Sequence, residues 1–558
     1  MKKSRAAGGA AAAVVAVLVC AGCSSGGTSG TSGTKTSAGG ANGGTATVLE
    51  STPPDSLDPQ LGGTIQASQP DSLVYTPLLT YGHTTATATT LIPGLATALP
   101  VISNGGKTYT MTLRSGLKYS NGTPVKASDF THSIERALKL NWGGNSFFTG
   151  YIAGASDYQN GKSSTISGIS TNDSTGKITI DLTSAYGAFA NVLAFPASAP
   201  VRSATPMKNL GTSPPPGVGS YMFSNVTPNQ SYTLKRNPLF AGFHIPGIPA
   251  GHLAQINVDY ISNPTAEAQK VLANQADSFD PGDTLPPSLV RQVEAQTSRF
   301  KVRTGAGTSY FFLNSQSAPF NNQLAREAVV TGIDRSALIR LASGFGEPGC
   351  YLLPPSLTGH ATAACPFGPA AGHGDLAKAK DLLRQSGEMG AKVTVWSEET
   401  APYGQFAEYF ASLLNQIGFR AAPKLISDAT YPPTISNATT NPQAGWAEWN
   451  EDFPNPADFY LLVNASSLTK ASTGADFGKV NDPTIQSTLA RLDGVPAAQL
   501  SSTVSDWQNL ETYVAKKAYV VPYSYQEYPD FLSDRINFKT AVFSPLFLDD
   551  WSTWELNK

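Results

Sequence analysis

Between Ala444 and Val463 the stretch AGWAEWNEDFPNPADFYLLV sets three carboxylates, Glu448, Glu451 and Asp452, beside Trp446, Trp449 and Phe453. Carboxylates so placed can do two kinds of chemistry. Gathered in a dry cleft, they hold an ammonium group through charge-assisted hydrogen bonds. Divided across a cleft, they serve as acid and base in hydrolysis. No partner acid for the second role can be identified elsewhere. HExxH, GxSxG and GxxxxGK[ST] are absent, and the six histidines are scattered without metal-ligand spacing. The sequence therefore points to no catalytic residue, no metal site and no cofactor, and an extracytoplasmic peptidase or glycosidase using these acids is the less favoured reading.

Several elements must position this cluster. A strand from Ala444 to Asn450 ends at a Pro-rich turn, with a helix beginning near Ala457. Ligands of open α/β sheets bind beyond the carboxyl ends of the strands, which would turn Trp449 and Asp452 toward a cleft. The alternative is that both tryptophans pack in the core and Asp452 caps a turn. Upstream, Asp375 is placed to cap a helix that stops at Gly387, and the strand VTVW follows. Then comes an amphipathic helix through Phe406, Phe410, Leu413, Leu414 and Ile417, ending at Gly418 before RAAPKLI. Strand, helix and strand of these lengths predict a parallel crossover, and strand-end logic makes Trp396 a candidate cleft residue. In the first half, KTYTMTLRSGLKYSNG alternates with Tyr109, Met111 and Leu113 on one face and turns at Asn121-Gly122. A helix with Phe130, Ile134, Ala137 and Leu138 at helical spacing and a strand from Lys177 to Leu182 come next.

Composition excludes several partners. A net charge of −2, with 14% charged residues, leaves no basic face for nucleic acid and no polybasic patch for anionic lipid. The length calls for more than one lobe, and no internal repeat or second linker divides the chain. Lys2, Lys3 and Arg5 precede a short apolar run, Ala10 to Val19, which is the layout of a secretory signal rather than a membrane span. Ala21 and Gly22 before Cys23 resemble the lipobox of bacterial lipoproteins, although Cys20 stands where leucine is usual. A plain secretory signal is the alternative. Residues 1–22 are thus expected to be a signal peptide and 23–44 a Gly/Ser-rich tether with a reach of roughly 25 Å. Of the four cysteines, Cys20 leaves with the signal and Cys23 takes lipid, so Cys350 and Cys365 are expected to pair as a disulfide. The competing reading is a metal site with His360 and His373, whose spacing fits no common zinc pattern.

Five segments, in order, resemble one family. They are GGTATVLESTPPDSLDPQ, with its SLDP signature; LIPGLATALPVISNGGKTYTMTLRSGLKYSNGTPVKASDFTHSIERAL, which carries two of the matches; GSYMFSNVTPNQSYTLKRNPLF; TSYFFLNSQSAPFNNQLAREAVVTGIDRSALI; and GDLAKAKDLLRQSG. Together they are similar to the extracytoplasmic solute-binding proteins of family 5, the binding lipoproteins of oligopeptide, dipeptide and nickel ABC importers. The resemblance implies an α/β, bilobed periplasmic-binding-protein-like fold (type II, cluster C) with an extra small domain. Its expected parts are a discontinuous lobe I of residues 45–65, 190–305 and 520–558, an inserted small domain of 66–189, and lobe II of 306–519, with a cleft that closes by hinge motion.

It also implies a monomeric, lipid-anchored extracytoplasmic receptor, not an enzyme, that delivers a peptide to ABC permease and ATPase subunits. In peptide-binding members an Asp in a Trp-x-x-Asp-aromatic pattern takes the ligand's amino terminus, and Trp449, Asp452 and Phe453 match that pattern. Tyr310 and Asn314, in TSYFFLN, match a strand bordering the cleft. No arginine can be placed to meet a peptide carboxylate. Relatives on the same frame bind nickel complexes, oligosaccharides and other solutes, so another small solute, or a signalling lipoprotein that no longer transports, remains an alternative.

Overall fold

The computed structural model describes residues 43–558. The expected signal, Cys23 and nearly all of the tether lie outside the described residues.

Strand β1 (Thr45–Glu50) opens the fold. Next along the chain come β2 (Val101–Ser103), β3 (Thr108–Thr112), helix α1 (Ala127–Leu140), β4 (Ile169–Asn172) and β5 (Lys177–Asp181). They are followed by β6 (Tyr221–Thr227), β7 (Ser231–Arg236) and β8 (Gln255–Tyr260). β1 lies parallel to β8, far along the chain, in a sheet ordered β1-β8-β7-β6, while the strands between them form a separate antiparallel sheet ordered β2-β3-β5-β4. In β3 the alternating Tyr109 and Met111 are buried, and α1 buries Phe130, Ile134, Ala137 and Leu138, the face its spacing predicts. Asn141 ends α1 in the left-handed region at φ 58°. Asp58 of the SLDP segment reaches α1: both its carboxylate oxygens accept from the two Nη atoms of Arg136 at 2.5 Å, with neither side chain exposed.

The second half is built on one six-stranded sheet. Its elements are β9 (Phe300–Leu313), α2 (Gln323–Gly332), β10 (Glu347–Pro348), α3 (Leu376–Ser386), β11 (Lys392–Glu398), α4 (Tyr403–Ile417), β12 (Arg420–Ile426), β13 (Ala444–Asn450) and β14 (Val520–Phe531). The strand order is β10-β14-β9-β13-β11-β12. β11 and β12 pair in parallel across α4, as the strand–helix–strand spacing predicts. The Asp375 side chain accepts from the Lys378 N–H at 2.9 Å to cap α3, which stops at Gly387 with φ 79°. Helices α2, α3 and α4 cover one face of this sheet, burying Phe311, Leu313, Val395, Ala444, Trp446 and Val521 against Phe406, Phe410 and Leu414.

Two points differ from the expected segmentation. Residues 520–525, expected in lobe I, hydrogen-bond along Thr308–Phe312 inside the six-stranded sheet, because β14 is one long strand beside β9. The core of the small sheet also does not end at residue 189. Phe147 and Phe195 pack edge-on against Phe453 at 5.5 and 6.0 Å, so the second lobe completes that core.

β9 and β14 run from one lobe to the other. Their Phe300 and Phe531 end packs with Leu49, Ala268 and Val271, and their Phe311 and Val521 end packs with the helices of the six-stranded sheet. Between Thr304 and Thr308 their register shifts. A Cβ at Gly305 would meet the Tyr528 ring at 2.5 Å and one at Gly307 would collide with the Gln526 side chain, so both glycines serve close approach of the two strands.

Cys350 and Cys365 are joined in a disulfide that encloses a Pro-rich loop 15 residues long. Chain entropy assigns such a closure about 3 kcal/mol. The Cys350→Ser, Cys365→Ser double variant is expected to unfold at lower urea concentration by about that amount, and an unchanged midpoint would show that the loop is held by its packing alone.

Candidate functional site

The sheet face covered by α4 at one end is left open at the other. Residues facing each other across an antiparallel pair lie on the same side of the sheet, so Ser309 opposite Glu448 and Phe311 opposite Trp446 share this face. Trp446, Glu448 and Asn450, at strand period two, all line a cavity of about 580 Å³ that extends from here to the other lobe. One side of the cavity is formed by Thr64, Gln66, Asp283 and Phe547; the other by Glu398, Tyr403, Phe406, Tyr523 and Gln526.

The strand period also sorts the residues expected in the cleft. Trp446 lines the cavity, with its Nε1 donating to the Tyr523 hydroxyl at 2.9 Å and its ring 4.5 Å from that of Tyr403. Trp449 is three positions on and so faces the other side, where its Nε1 donates to Asp458 Oδ2 at 3.2 Å. Asp452 lines the cavity, just past the strand end. Its backbone N–H also donates to Asp458 Oδ2, at 2.9 Å, so a fully buried acid holds both the turn and the tryptophan behind it. Phe453 is wholly buried among Phe147 and Phe195 and does not line the cavity.

Tyr310 and Asn314 also lie outside the cavity lining. Tyr310 shares the face of Ala447, away from the cavity, and is buried with its hydroxyl unpartnered. Asn314 is spent on structure: its Nδ2 donates to Asn441 Oδ1 and to the Pro442 carbonyl, and its Oδ1 accepts from Gln316. Trp396 sits outside the cavity with Lys424 Nζ 3.6 Å from its ring centre, while Glu398, two residues on, is the residue that enters.

The electrostatics are one-sided. Asp283, Glu398, Glu448, Glu451, Asp452 and Glu527 line the cavity, and no Lys, Arg or His does. Burial pushes the Glu451 carboxyl up to about 8, with neighbouring Asp452 adding to the shift, and pushes Glu398 up to about 7, helped by Asp428 and Glu448. Glu448 and Asp452 open onto the cavity, yet the protein around them raises both. Asp458 behind is raised furthest, by burial first and by Asp452 second, and its bond to Asp452 opposes the rise of Asp452. The two acids are coupled, and burial raises both carboxyls above their ordinary range. Glu451 is 6% exposed, and its Oε1 has no hydrogen-bond partner. Among the described residues no group of His, Cys, Asp and Glu is arranged to hold a metal ion.

Residues 90–470 match the model of the bacterial extracellular solute-binding proteins, family 5 (middle region). The chain belongs to this family. Among curated proteins it is 27% identical over 331 residues to the glutathione-binding protein GsiB of Escherichia coli K12. The match covers 57% of this chain and 58% of that protein, so the chain spans a little over half the length of the curated relatives it matches. Among solved structures, the clavulanic acid biosynthesis oligopeptide binding protein 2 superposes with a TM-score of 0.83 at 21% identity, covering 93% of this chain and 96% of that one. The periplasmic binding protein DppA of Helicobacter pylori, in complex with the peptide STSA, superposes with a TM-score of 0.75 at 21% identity, covering 93% and 99%. These likenesses establish the bilobed α/β solute-binding fold of this family member.

Proposed function

We propose that this protein is the substrate-binding lipoprotein of an ABC importer, which captures a peptide by its amino terminus in the interlobe cavity and delivers it intact to the membrane permease and its ATPase. The observation that carries this reading is the Asp452 carboxyl, at the end of β13, its turn held by Asp458 and its side chain lining a cavity that both lobes border. Likeness in fold to an oligopeptide-binding protein and to a protein holding the peptide STSA supports the peptide class. The name of the curated relatives does not carry over. Glutathione bears net negative charge at neutral pH, and the cavity offers it no cationic side chain.

In this reading the register break at Gly305–Gly307, opposite Gln526, is the hinge. Lobe I is then 45–65, 190–305 and the chain after Gln526, with the small domain of 66–189 between its segments and the remainder in lobe II. The acceptor and donor groups of Ser309, Asn450 and Gln526 pair with an extended peptide backbone, which needs no particular side chains. Residues 1–22 direct export, and Cys23 carries the lipid that holds the protein outside the cell. Cys23→Ser releases the protein to the medium or leaves the precursor uncut; unchanged membrane retention would remove the anchor from the account.

Acidity should oppose binding. A cation favours ionised carboxylates, so ligand binding expels the protons that Glu451 and Glu398 hold near neutrality, and affinity rises with pH. Between pH 8.5 and pH 5.5 the affinity for an amine ligand falls by up to about tenfold per pH unit for each proton taken up. Titration calorimetry in buffers of different ionisation heat reads that proton count, and a flat profile would detach these acids from the ligand. The reading as a whole is tested by incubating the purified protein with a mixed peptide and sugar library. Retention of intact peptide supports it, appearance of cleaved product supports a hydrolase, and retention of sugar replaces the peptide.

A further inference from the structure

We infer that the cleft selects ligands bearing at least two positive charges, an amino terminus together with a lysine- or arginine-like group close to it, and gives a free carboxylate no charged partner. This rests on the peptide-receptor reading and names the class of peptide.

Two separate pairs of acids face the cavity. Glu451 and Asp452 form one at the end of β13; Glu398 and Glu448 form the other, beside Tyr403. Glu448 and Glu451 are three residues apart, so their Cα atoms lie at most about 10 Å from each other. An amino terminus and an amino or guanidino side chain in the first residues of a peptide span that distance. At the second pair, Tyr403 and Trp446, with ring centres 4.5 Å apart, add aromatic faces suited to a cation.

Each pair is short of positive charge. The charged groups bearing on these four acids are Asp428, Asp458 and one another, with no Lys, Arg or His among them. The buried, unpartnered Oε1 of Glu451 marks the acceptor that a ligand donor satisfies; Asp283, which takes the Ser51 hydroxyl at 2.6 Å on one oxygen, leaves its other oxygen unpartnered on the opposite wall. A buried acceptor without a donor is costly, and the ligand's amino terminus relieves that cost at Glu451; at the second pair Glu448 Oε2 accepts from the neutral Gln526 Nε2 at 3.1 Å, so a second cation there brings the countercharge that a neutral side chain does not. The missing arginine for a peptide carboxylate is the same feature seen from the other end of the ligand. With no cation in the lining, a carboxylate must stay in water at the cavity mouth.

The test is titration calorimetry of the purified protein with trialanine, trilysine, the carboxy-terminal amide of each, and spermidine. The expected result is that trilysine binds about tenfold to a hundredfold more tightly than trialanine, that amidation weakens neither, and that the Glu398→Gln, Glu448→Gln double variant shrinks the trilysine preference to less than about threefold. Equal affinity for trilysine and trialanine, or a large loss on amidation, would overturn the inference while leaving a peptide receptor in place. Spermidine bound with neither peptide would keep the oligocation class and remove the peptide. No binding of any probe would overturn both.

Discussion

Asp452→Asn is expected to lower the affinity for an amine-bearing ligand several hundredfold or more without unfolding the protein. The exchange keeps the size of the side chain and one acceptor oxygen but removes its capacity to carry charge. In the closed cleft the ligand ammonium is then desolvated and unpaired. Breaking one side of such a pair costs about 3 to 5 kcal/mol, and about 1.4 kcal/mol is tenfold in affinity. Folding is spared because Asp452 faces the cavity in the empty protein, and the backbone N–H that Asp458 accepts from is unchanged. Acetylating the amino terminus of the ligand should weaken binding to the parent and add little further loss in the variant, since both changes remove one contact. Calorimetry on the four combinations checks this. Additive losses would place the amine elsewhere.

Asp58→Ala is expected to destabilise the fold by about 3 to 5 kcal/mol. Arg136 is the largest charged side chain buried without exposure, and its guanidinium is held by Asp58, Gln60 Oε1 at 2.8 Å and the carbonyls of Pro206 and Lys208. Asp58 supplies the only countercharge in that set and also accepts from the Leu210 N–H at 2.8 Å. Removing it strands a buried cation and opens the junction between the first lobe, α1 and the 206–210 segment. Urea unfolding of the variant should show the loss. Replacing both partners, Asp58→Leu with Arg136→Met, should recover much of it, because no charge is left unpaired. A single variant as stable as the parent would mean that water reaches Arg136.

The same ion pair shows how far the sequence could be read. The SLDP signature was legible as a pattern, but its physical use was not, since Arg136 is 78 positions away and no local periodicity joins them. Elements with local causes were readable: the cap at Asp375, the stop at Gly387, the buried faces of α1 and α4, and the parallel crossover. In the site, strand-end reasoning pointed to Asp452, which lines the cavity, and to Trp449, which does not, because the parity that places Trp446 in the cavity turns Trp449 away, and parity is decided only by which face the helices cover.

Applied at β11, the same reasoning stopped at Trp396, two residues short of Glu398. Phe453, Tyr310 and Asn314 carry the residue types of a binding site, yet each is taken up by core or loop partners from distant segments. Thr64, Gln66, Asp283 and Phe547 come from the opposite lobe, and nothing in their own neighbourhoods marks them.

The most direct measurement is a crystal structure of the protein purified from its own host with whatever solute it retains. The account predicts both lobes closed on a ligand whose primary amine lies within about 3 Å of the Asp452 carboxylate, with strands β9 and β14 bent at Gly305–Gly307. A solute bound outside this cavity, or one bound inside it with no cationic group at Asp452, would contradict it.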